Sequence, residues 1–262
     1  MSVIFDQEEA GQAPAGAPKV AVIPTSLGLR PEAATAILEA SPQVELFDEE
    51  HWAVVKRGFD PFVTPPVHDP QALVETARQQ VQNQTLPVLL GGDQSIARYI
   101  PDFLSPPFTI LHFSSSPNLL KEGAVRSLLD RDLAVVSVGV RELTAIEAQY
   151  IKKSPPGYNR FLAKENRQSW PTEVPQAIQT DAVVLVFDAS VFDISVMPAV
   201  ETPSPGGLSW AEATSLLKAV SSQKRVSTVL MTGLKPHPFL HAADFLMAKL
   251  LYKILGYCFV PR

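Results

Sequence analysis

The sequence predicts an α/β protein in which helices cover both faces of a mostly parallel β-sheet. Short runs rich in Val, Ile and Leu alternate with amphipathic segments from Lys19 onward, which is typical of a parallel sheet buried on both faces. The chain has 262 residues, of which 46% are hydrophobic, and this is enough to bury a substantial core in a single domain. We therefore expect one domain over residues 19–262. Residues 1–18, rich in Ala, Gly and Pro, are expected to form a flexible N-terminal arm.

Several segments have the length and composition of buried strands. The predicted strands are residues 19–25, 43–48, 86–90, 108–113, 133–140, 182–188 and 226–232. The connections between helices and strands are short except at residues 49–69 and 153–181. Long loops on a rigid α/β body often have a function or face a partner.

The starts of the helices carry local signals. Asp69 is a predicted N-cap, and Pro70 follows at the first helical position, where its missing N–H costs no hydrogen bond. Pro31 is expected to open a helix in the same way. Ser209 and Glu212 have the spacing of a capping box, in which each residue satisfies a backbone N–H of the other.

A closing helix is predicted from residue 241, because apolar residues recur at helical spacing up to about Gly256. His237 and His241 are separated like metal ligands on one face of a helix. The prolines on either side of His237 break a helix there, so we expect a loop followed by a helix start rather than a metal site.

Composition excludes several functional classes. The net charge is −5, with no run of basic residues, so we expect neither a nucleic acid nor an anionic membrane as partner. No apolar stretch reaches the ~18 residues of a membrane span, and the N-terminus lacks a signal peptide pattern, which favours a cytoplasmic location. The one cysteine, Cys258, excludes an internal disulfide and is expected to be a buried structural thiol.

Polar or glycine-rich motifs follow several predicted strands, and ligands of open parallel sheets bind beyond the carboxyl ends of strands. The motifs are VLLGGDQS (88–95), ILHFSSSPN (110–118), LVFDASVFD (185–193) and VLMTGLKP (229–236), with ETPSPGGLSW at 201–210. In order, spacing and strand context they resemble the ureohydrolase family, which includes arginase, agmatinase and formiminoglutamase. The resemblance covers about residues 86–255, and TPSPGGLSW and GGDQSI are its most specific parts.

The resemblance has implications for fold and activity. It implies an arginase-like three-layer α/β/α sandwich whose sheet has about eight strands, and a homo-oligomer, a trimer or hexamer as is common in the family. In active relatives, two Mn²⁺ ions activate a bridging hydroxide that attacks a guanidino or formimino carbon.

The resemblance assigns the family's metal-ligand positions to residues of this chain that are mostly neutral. These positions are Gln94, Ser114, Ser116, Asn118, Asp188 and Ser190, where active relatives have Asp or His. Asp188 alone keeps a carboxylate, and uncharged oxygens cannot offset two divalent cations. The family's acidic residue that contacts the substrate guanidinium aligns with Gly233. We therefore expect no manganese site, no other cofactor and no catalytic residues.

Other chemistry at these positions stays open. A serine nucleophile in residues 114–116 would need a base, and His112 is close in sequence, but we expect its side chain to pack within the sheet. Gly91 and Gly92 lack the Lys or further Gly of a phosphate-binding loop. Asp188 could shape its loop by accepting backbone hydrogen bonds, bind a small cation together with Asp93, or hold a single metal ion.

The pattern indicates a degenerate ureohydrolase. Metal-ligand positions are changed in several motifs while scaffold residues such as Gly206, Gly207 and Asp193 remain. The leading hypothesis is a noncatalytic pseudoenzyme with a binding, regulatory or assembly role, for which an active ureohydrolase homologue is a candidate partner. The alternative is a metal-dependent hydrolase of a linear C–N amidine bond that uses non-standard ligands.

Overall fold

A computed structural model describes residues 4–5 and 13–260 and contains a large parallel sheet. The strands are β1 (Lys19–Pro24), β2 (Phe47–Asp48), β3 (Ala53–Val54), β4 (Asp60–Val63), β5 (Leu86–Leu90), β6 (Thr109–Phe113), β7 (Ala134–Val140), β8 (Tyr158–Leu162), β9 (Ala182–Asp188) and β10 (Arg225–Thr232). Eight of them form one sheet in the order β4-β1-β5-β10-β9-β6-β7-β8, in which all neighbours are parallel. This confirms the predicted sheet.

Helices lie between most of the strands. They are α1 (Ala33–Ala40), α2 (Pro70–Gln82), α3 (Ile100–Phe103), α4 (Ala124–Leu129), α5 (Ala145–Lys152), α6 (Trp170–Ala177), α7 (Trp210–Ser221) and α8 (His241–Phe259). The two faces of the sheet contribute to separate apolar cores because side chains alternate along a strand. Leu111 and Phe113 of β6 pack in the core that contains residues of α1, α6, α7 and α8. Ile110 packs in the core that contains residues of α2, α3, α4 and α5. The fold is therefore the predicted three-layer arginase-like sandwich.

The local helix signals are largely confirmed. The Asp69 side chain accepts a hydrogen bond from the backbone N–H of Ala72, and Ser209 and Glu212 form a complete capping box. The prediction for Pro31 is wrong, since α1 begins at Ala33 with Glu32 as its N-cap, and Pro31 lies in the preceding turn. The closing helix continues to Phe259, beyond the expected end.

The predicted strand at residues 43–48 is wrong. Ser41–Gln43 form a 3-10 turn, and β2 pairs only with β3, as a small antiparallel hairpin outside the main sheet. The hairpin is held against α8 by Lys253, whose Nζ contacts Asp48 Oδ2 at 2.8 Å and Glu50 Oε1 at 3.0 Å. Asp48 is therefore buried against a helix and does not lie along an edge of the main sheet.

The long connections at 49–69 and 153–181 are not loops without structure, contrary to prediction. The first contains β3 and the edge strand β4, and the second contains the other edge strand, β8, followed by α6. Edge strands are short and partly polar because only one side of each is paired, which weakens their sequence pattern.

The expected flexible arm, residues 1–18, falls partly outside the described residues. Within it, Ile4 and Phe5 are buried, and the ring of Phe5 lies 5.0 Å from that of Tyr252. These two residues are packed, so the expectation of flexibility does not hold for them. Among the described residues, no helix is both long and apolar enough to cross a membrane.

Candidate functional site

The carboxyl ends of four neighbouring strands, β5, β10, β9 and β6, meet at a cleft of about 240 Å³. The sequence motifs at these strand ends are thereby brought together. The cleft is lined by most of the predicted site residues: Asp93, Gln94, Ser116, Asn118, Asp188, Ser190 and Gly233. Ser114 is fully buried and joins the cleft through its hydrogen bond with Gln94.

Gln94 is the centre of a hydrogen-bond network below the cleft. Its amide nitrogen donates to Ser114 Oγ at 2.7 Å. Its Oε1 accepts from Asn118 Nδ2 at 3.0 Å and lies 2.7 Å from His112 Nε2. Because Oε1 can only accept, His112 carries its proton on Nε2, and its Nδ1 accepts from Ser137 Oγ at 3.1 Å. Gln94, which the resemblance assigns to the family's first metal-ligand position, thus links Ser114 and Asn118, two other positions assigned in the same way.

The loop after β6 is closed by its own polar side chains. Ser114 Oγ accepts from the backbone N–H of Ser116 at 3.2 Å, and Ser116 Oγ accepts from that of Asn118 at 3.3 Å. Asn118 has φ +55°, a left-handed conformation that Asn tolerates, and its Oδ1 accepts from Ala124 N at 2.8 Å. These residues shape the loop, so their polar atoms are already engaged.

The second pair of family positions lies across from this loop. Ser190 Oγ accepts from Ser115 Oγ at 3.0 Å and from Ser115 N at 3.3 Å. Asp188 is 5% exposed, and its Oδ1 accepts from Ser190 N at 3.0 Å while Oδ2 accepts from Thr232 Oγ1 at 2.9 Å. Oδ1 therefore holds the loop after β9, while Oδ2 joins Asp188 to the end of β10.

Gly233 is packed directly against that carboxylate. It has φ +84°, and a Cβ at this position would lie 2.5 Å from Asp188 Oδ1. Gly233, which the resemblance assigns to the family's guanidinium-binding position, therefore has no room for a larger side chain in this backbone conformation.

Asp93 supports the other wall of the cleft. Its Oδ1 accepts from Ser95 N at 2.7 Å and its Oδ2 accepts from Leu29 N at 2.5 Å. The adjacent Gly92 is needed because a Cβ there would lie only 1.3 Å from Leu29 O. This glycine allows the loop after β1 to approach the loop after β5, and it belongs to the scaffold rather than to a phosphate-binding loop.

His112 is buried within the sheet, as predicted, and is 1% exposed. Burial lowers its pKa from 6.5 to about 3, because the charged ring would lose its hydration there. His112 is therefore neutral near pH 7, and its contacts with Gln94 and Ser137 do not form a serine–histidine catalytic arrangement with residues 114–116.

The donors at this site do not fit a pair of manganese ions. Only Asp188 among the aligned positions is a carboxylate, and none is a histidine. Mn²⁺ prefers anionic oxygens and imidazoles, whereas the oxygens at the aligned positions are neutral or, in Asp188, already accept hydrogen bonds. Among residues 4–5 and 13–260, no group of three or more His, Cys, Asp or Glu has a geometry that could hold a metal ion.

The mouth of the cleft is bordered by charged residues that the sequence did not identify. Glu201 Oε2 lies 2.7 Å from Arg30 Nη2 and 3.5 Å from Lys235 Nζ. The three residues come from separate segments, and all are partly exposed. Their side chains join the loop after β1 to the loops that follow β9 and β10.

Two further residues position the loops, and sequence analysis missed both. Arg141 Nη2 donates to Ser190 O at 2.9 Å and to Phe192 O at 3.0 Å. Glu147 is 3% exposed, and its Oε1 accepts from Leu119 N at 3.0 Å. The capping-box spacing of Thr144 and Glu147 could have indicated the helix start, but not the contact across to the β6 loop.

The other residues singled out from the sequence lie elsewhere. His237 is in a loop and His241 is the first residue of α8, as expected. Cys258 is only partly buried, which corrects the expectation of a fully buried residue, although burial raises the pKa of its thiol to about 12.

Comparison with known proteins agrees with this architecture. The Arginase family model matches residues 29–256, which is most of the chain. The chain belongs to the arginase family. It is 28% identical to an N(1)-aminopropylagmatine ureohydrolase of Synechocystis, over 85% of this chain and 81% of the relative. A protein with the same description from Thermus thermophilus is also 28% identical, over 98% of this chain and 94% of the relative.

Solved structures of arginase-family proteins share the fold. Agmatine ureohydrolase of Thermoplasma volcanium superposes with a TM-score of 0.77 at 18% identity, over 97% of this chain and 95% of that chain. Arginase from Bacillus subtilis superposes with a TM-score of 0.75 at 19% identity, over 91% of this chain and 98% of that chain.

Proposed function

We propose that this chain is a noncatalytic member of the arginase family that acts by binding, regulation or assembly. The observation that carries the proposal is the hydrogen-bond network of Gln94 with His112, Ser114 and Asn118. Where active relatives need anionic or imidazole ligands, this chain has uncharged groups that are bonded to one another.

The energetic argument concerns charge and desolvation. A divalent ion that enters the cleft must lose part of its hydration shell, and only Asp188 among the aligned positions would offer a negative charge in return. Both oxygens of Asp188 already accept hydrogen bonds, from Ser190 and Thr232. Coordination would leave those donors without partners, at about 1–3 kcal/mol for each buried group.

Metal content and turnover test the proposal together. Protein produced in Mn²⁺-rich medium and then desalted is expected to contain far less than one manganese per chain. Purified protein with added Mn²⁺ is expected to release neither urea nor ammonia from arginine, agmatine or guanidinobutyrate, and no formamide from formiminoglutamate. N(1)-aminopropylagmatine belongs in the same assay because two curated relatives are named for it. Near-stoichiometric manganese or turnover above the blank contradicts the proposal.

A second candidate is a metal-dependent hydrolase of a linear C–N amidine bond with non-standard ligands. The observation in its favour is that the cleft is open and that its carboxylates include Asp93 and Asp188 at the strand ends. If turnover is detected, Asp93→Asn and Asp188→Asn separate the candidates further. A hydrolase that uses these carboxylates loses activity in both variants, whereas a contaminating enzyme is unaffected.

Restoring the family ligands tests whether the missing charges are the cause. We predict that Gln94→His, Ser114→Asp, Ser116→His, Asn118→Asp and Ser190→Asp together produce Mn²⁺ binding, measured by calorimetry. The matched control is the same variant with Asp188→Asn, which should bind more weakly. Activity would additionally need an acidic residue at Gly233, where the structure has no room for one. If the combined variant folds but gains no affinity for Mn²⁺, the backbone has lost the family geometry.

The proposed role requires a partner or a ligand. By analogy with the family, we propose a homo-oligomer, a trimer or hexamer, and an active arginase-family enzyme as a candidate partner. Light scattering of the purified chain tests the first, and co-purification with a metal-containing homologue tests the second. The cytoplasmic location stays a prediction from the sequence.

A further inference from the structure

A second concave site lies between α1 and the start of α8. It is separate from the cleft at the carboxyl ends of β5, β10, β9 and β6, which we call the vestigial cleft after its proposed loss of metal ligands. It is a groove of about 580 Å³, and its lining includes three acidic residues, Glu32, Glu39 and Asp244, and two histidines, His237 and His241. Within the described part of the chain, no Lys or Arg belongs to the lining. The vestigial cleft differs, since Arg30, Arg98 and Lys235 balance most of its carboxylates. The groove is therefore the more negative of the two sites.

Asp244 is the buried acidic residue of the groove, whereas Glu32 and Glu39 are exposed. Its side chain is 8% exposed, and Oδ1 is buried with no hydrogen-bond partner among the described residues. Oδ2 has only a long contact, 3.4 Å, with Nδ1 of His241, whose side chain is 80% exposed. Burial raises the pKa of Asp244, the contact with His241 offsets only part of this rise, and Glu39 adds a smaller increase. A buried carboxylate oxygen without a donor is costly, and a cationic ligand would remove that cost.

The rest of the lining suits an alkyl chain rather than a bare metal ion. Ala36, Ala40, Pro236 and Pro238 provide apolar surface, and the groove is much larger than one ion needs. Glu32 and Glu39 are seven residues apart on the same side of α1, which places them about 10 Å apart along the helix axis. Two cationic groups joined by an aliphatic chain match this spacing of acidic residues.

We propose that the groove between α1 and α8 binds a linear aliphatic diamine, with one ammonium group near Asp244 and Glu39 and the other near Glu32. His241 covers Asp244 and makes only one long contact with it, and the His241 ring is exposed. The ring therefore moves aside when the ligand enters. The groove and the vestigial cleft have no lining residue in common among those described, and the inference does not depend on whether the chain is an enzyme.

Calorimetric titration of the full chain with 1,7-diaminoheptane tests the proposal. We expect saturable binding of one diamine per chain, weakened by added NaCl because the attraction is electrostatic. Heptylamine, with one charge, should bind about tenfold more weakly, and 1,7-heptanediol should not bind.

Variants locate the site. Glu39→Gln changes an exposed residue, so it should fold normally and weaken diamine binding about tenfold. Asp244→Asn should weaken it at least as much, and Asp130→Asn, an exposed aspartate outside the groove, should leave it unchanged. The proposal is overturned if the diamine shows no saturable binding, or if binding is the same in Glu39→Gln as in the original protein.

Discussion

Two buried polar regions of this protein satisfy their polar groups differently, one through ion pairs and the other through uncharged hydrogen bonds. Around Lys253, which is 2% exposed, charges are kept and paired with Asp48, Glu49 and Glu50. At the cleft beyond the carboxyl ends of β5, β10, β9 and β6, Gln94 joins its neighbours through uncharged hydrogen bonds. The difference shows that buried charge persists where several opposite charges come from the protein itself. Where the opposite charge would have to come from a bound ion, neutral side chains can satisfy one another without it.

The largest effect should come from breaking the charged region. Lys253→Met leaves Asp48, which is 1% exposed, without its ammonium partner, and the free energy of unfolding should fall by about 3–5 kcal/mol. Urea titration followed by circular dichroism measures this. Lys218→Met is the matched control, because Lys218 binds the rim of the same cluster and is 29% exposed, so its loss should cost about 1 kcal/mol or less. Equal losses in the two variants would mean that burial of the cluster is not what makes Lys253 important.

A smaller effect is expected from breaking the neutral network. Gln94→Leu removes the acceptor for His112 and Asn118 and the donor to Ser114, at about 1–3 kcal/mol of unfolding free energy. Gln79→Leu, at an exposed position of α2, is the control and should change stability little. If Gln94→Leu has the same free energy of unfolding as the original protein, water replaces the network. The claim that the network closes the vestigial site would then be wrong.

The two regions should also respond to acid at different pH values. The pKa of His112 is lowered by burial to about 3, so between roughly pH 6.5 and 3 the unfolded chain binds a proton that the folded chain does not. Stability contributed by the neutral form of His112 is therefore lost as pH falls through this range. His112→Asn should flatten that part of the stability curve, measured by urea titration at a series of pH values. An unchanged slope in the variant would mean that another group causes it.

The charged region should lose stability only at lower pH. Burial favours a higher pKa for Asp48 and Glu50, but hydrogen bonds from Lys253 to both and from Lys218 to Glu50 outweigh it and hold each pKa at about 2. Their contribution is complete above the unfolded carboxyl values near pH 4 and is lost as pH falls toward 2. Lys253→Met should remove this low-pH transition while leaving the His112 effect in place.

The sequence was most informative in the centre of the sheet. The predicted strands at 86–90 and 182–188 agree with β5 and β9 because both are buried on two faces. The edge strands β4 and β8 were missed, since β4 includes Pro61 and β8 is half polar, and their pairing depends on tertiary contacts. Residues 43–48 look apolar enough for a strand of the main sheet, but Asp48 pairs with Lys253, far away in the chain, a contact that leaves no local pattern.

For the site, the sequence indicated which residues meet but not how they interact. Positions at the ends of parallel strands that are neighbours must come together, and this placed Gln94, Ser114 and Asp188 near one another. The network itself depends on side-chain orientation, such as the Gln94 amide that faces both His112 and Ser114. The contacts of Arg30 and Lys235 with Glu201 join residues as much as 171 positions apart and leave no local pattern.

The conformation of Gly233 makes an acidic side chain hard to introduce at this position. Gly233 has a φ of +84° and lies close to Asp188. A glutamate introduced there would therefore require a change in the backbone conformation and a displacement of the Asp188 side chain. Selection for catalysis from a randomised library should therefore enrich compensating changes around Asp188 and Thr232 before it enriches an acidic residue at 233.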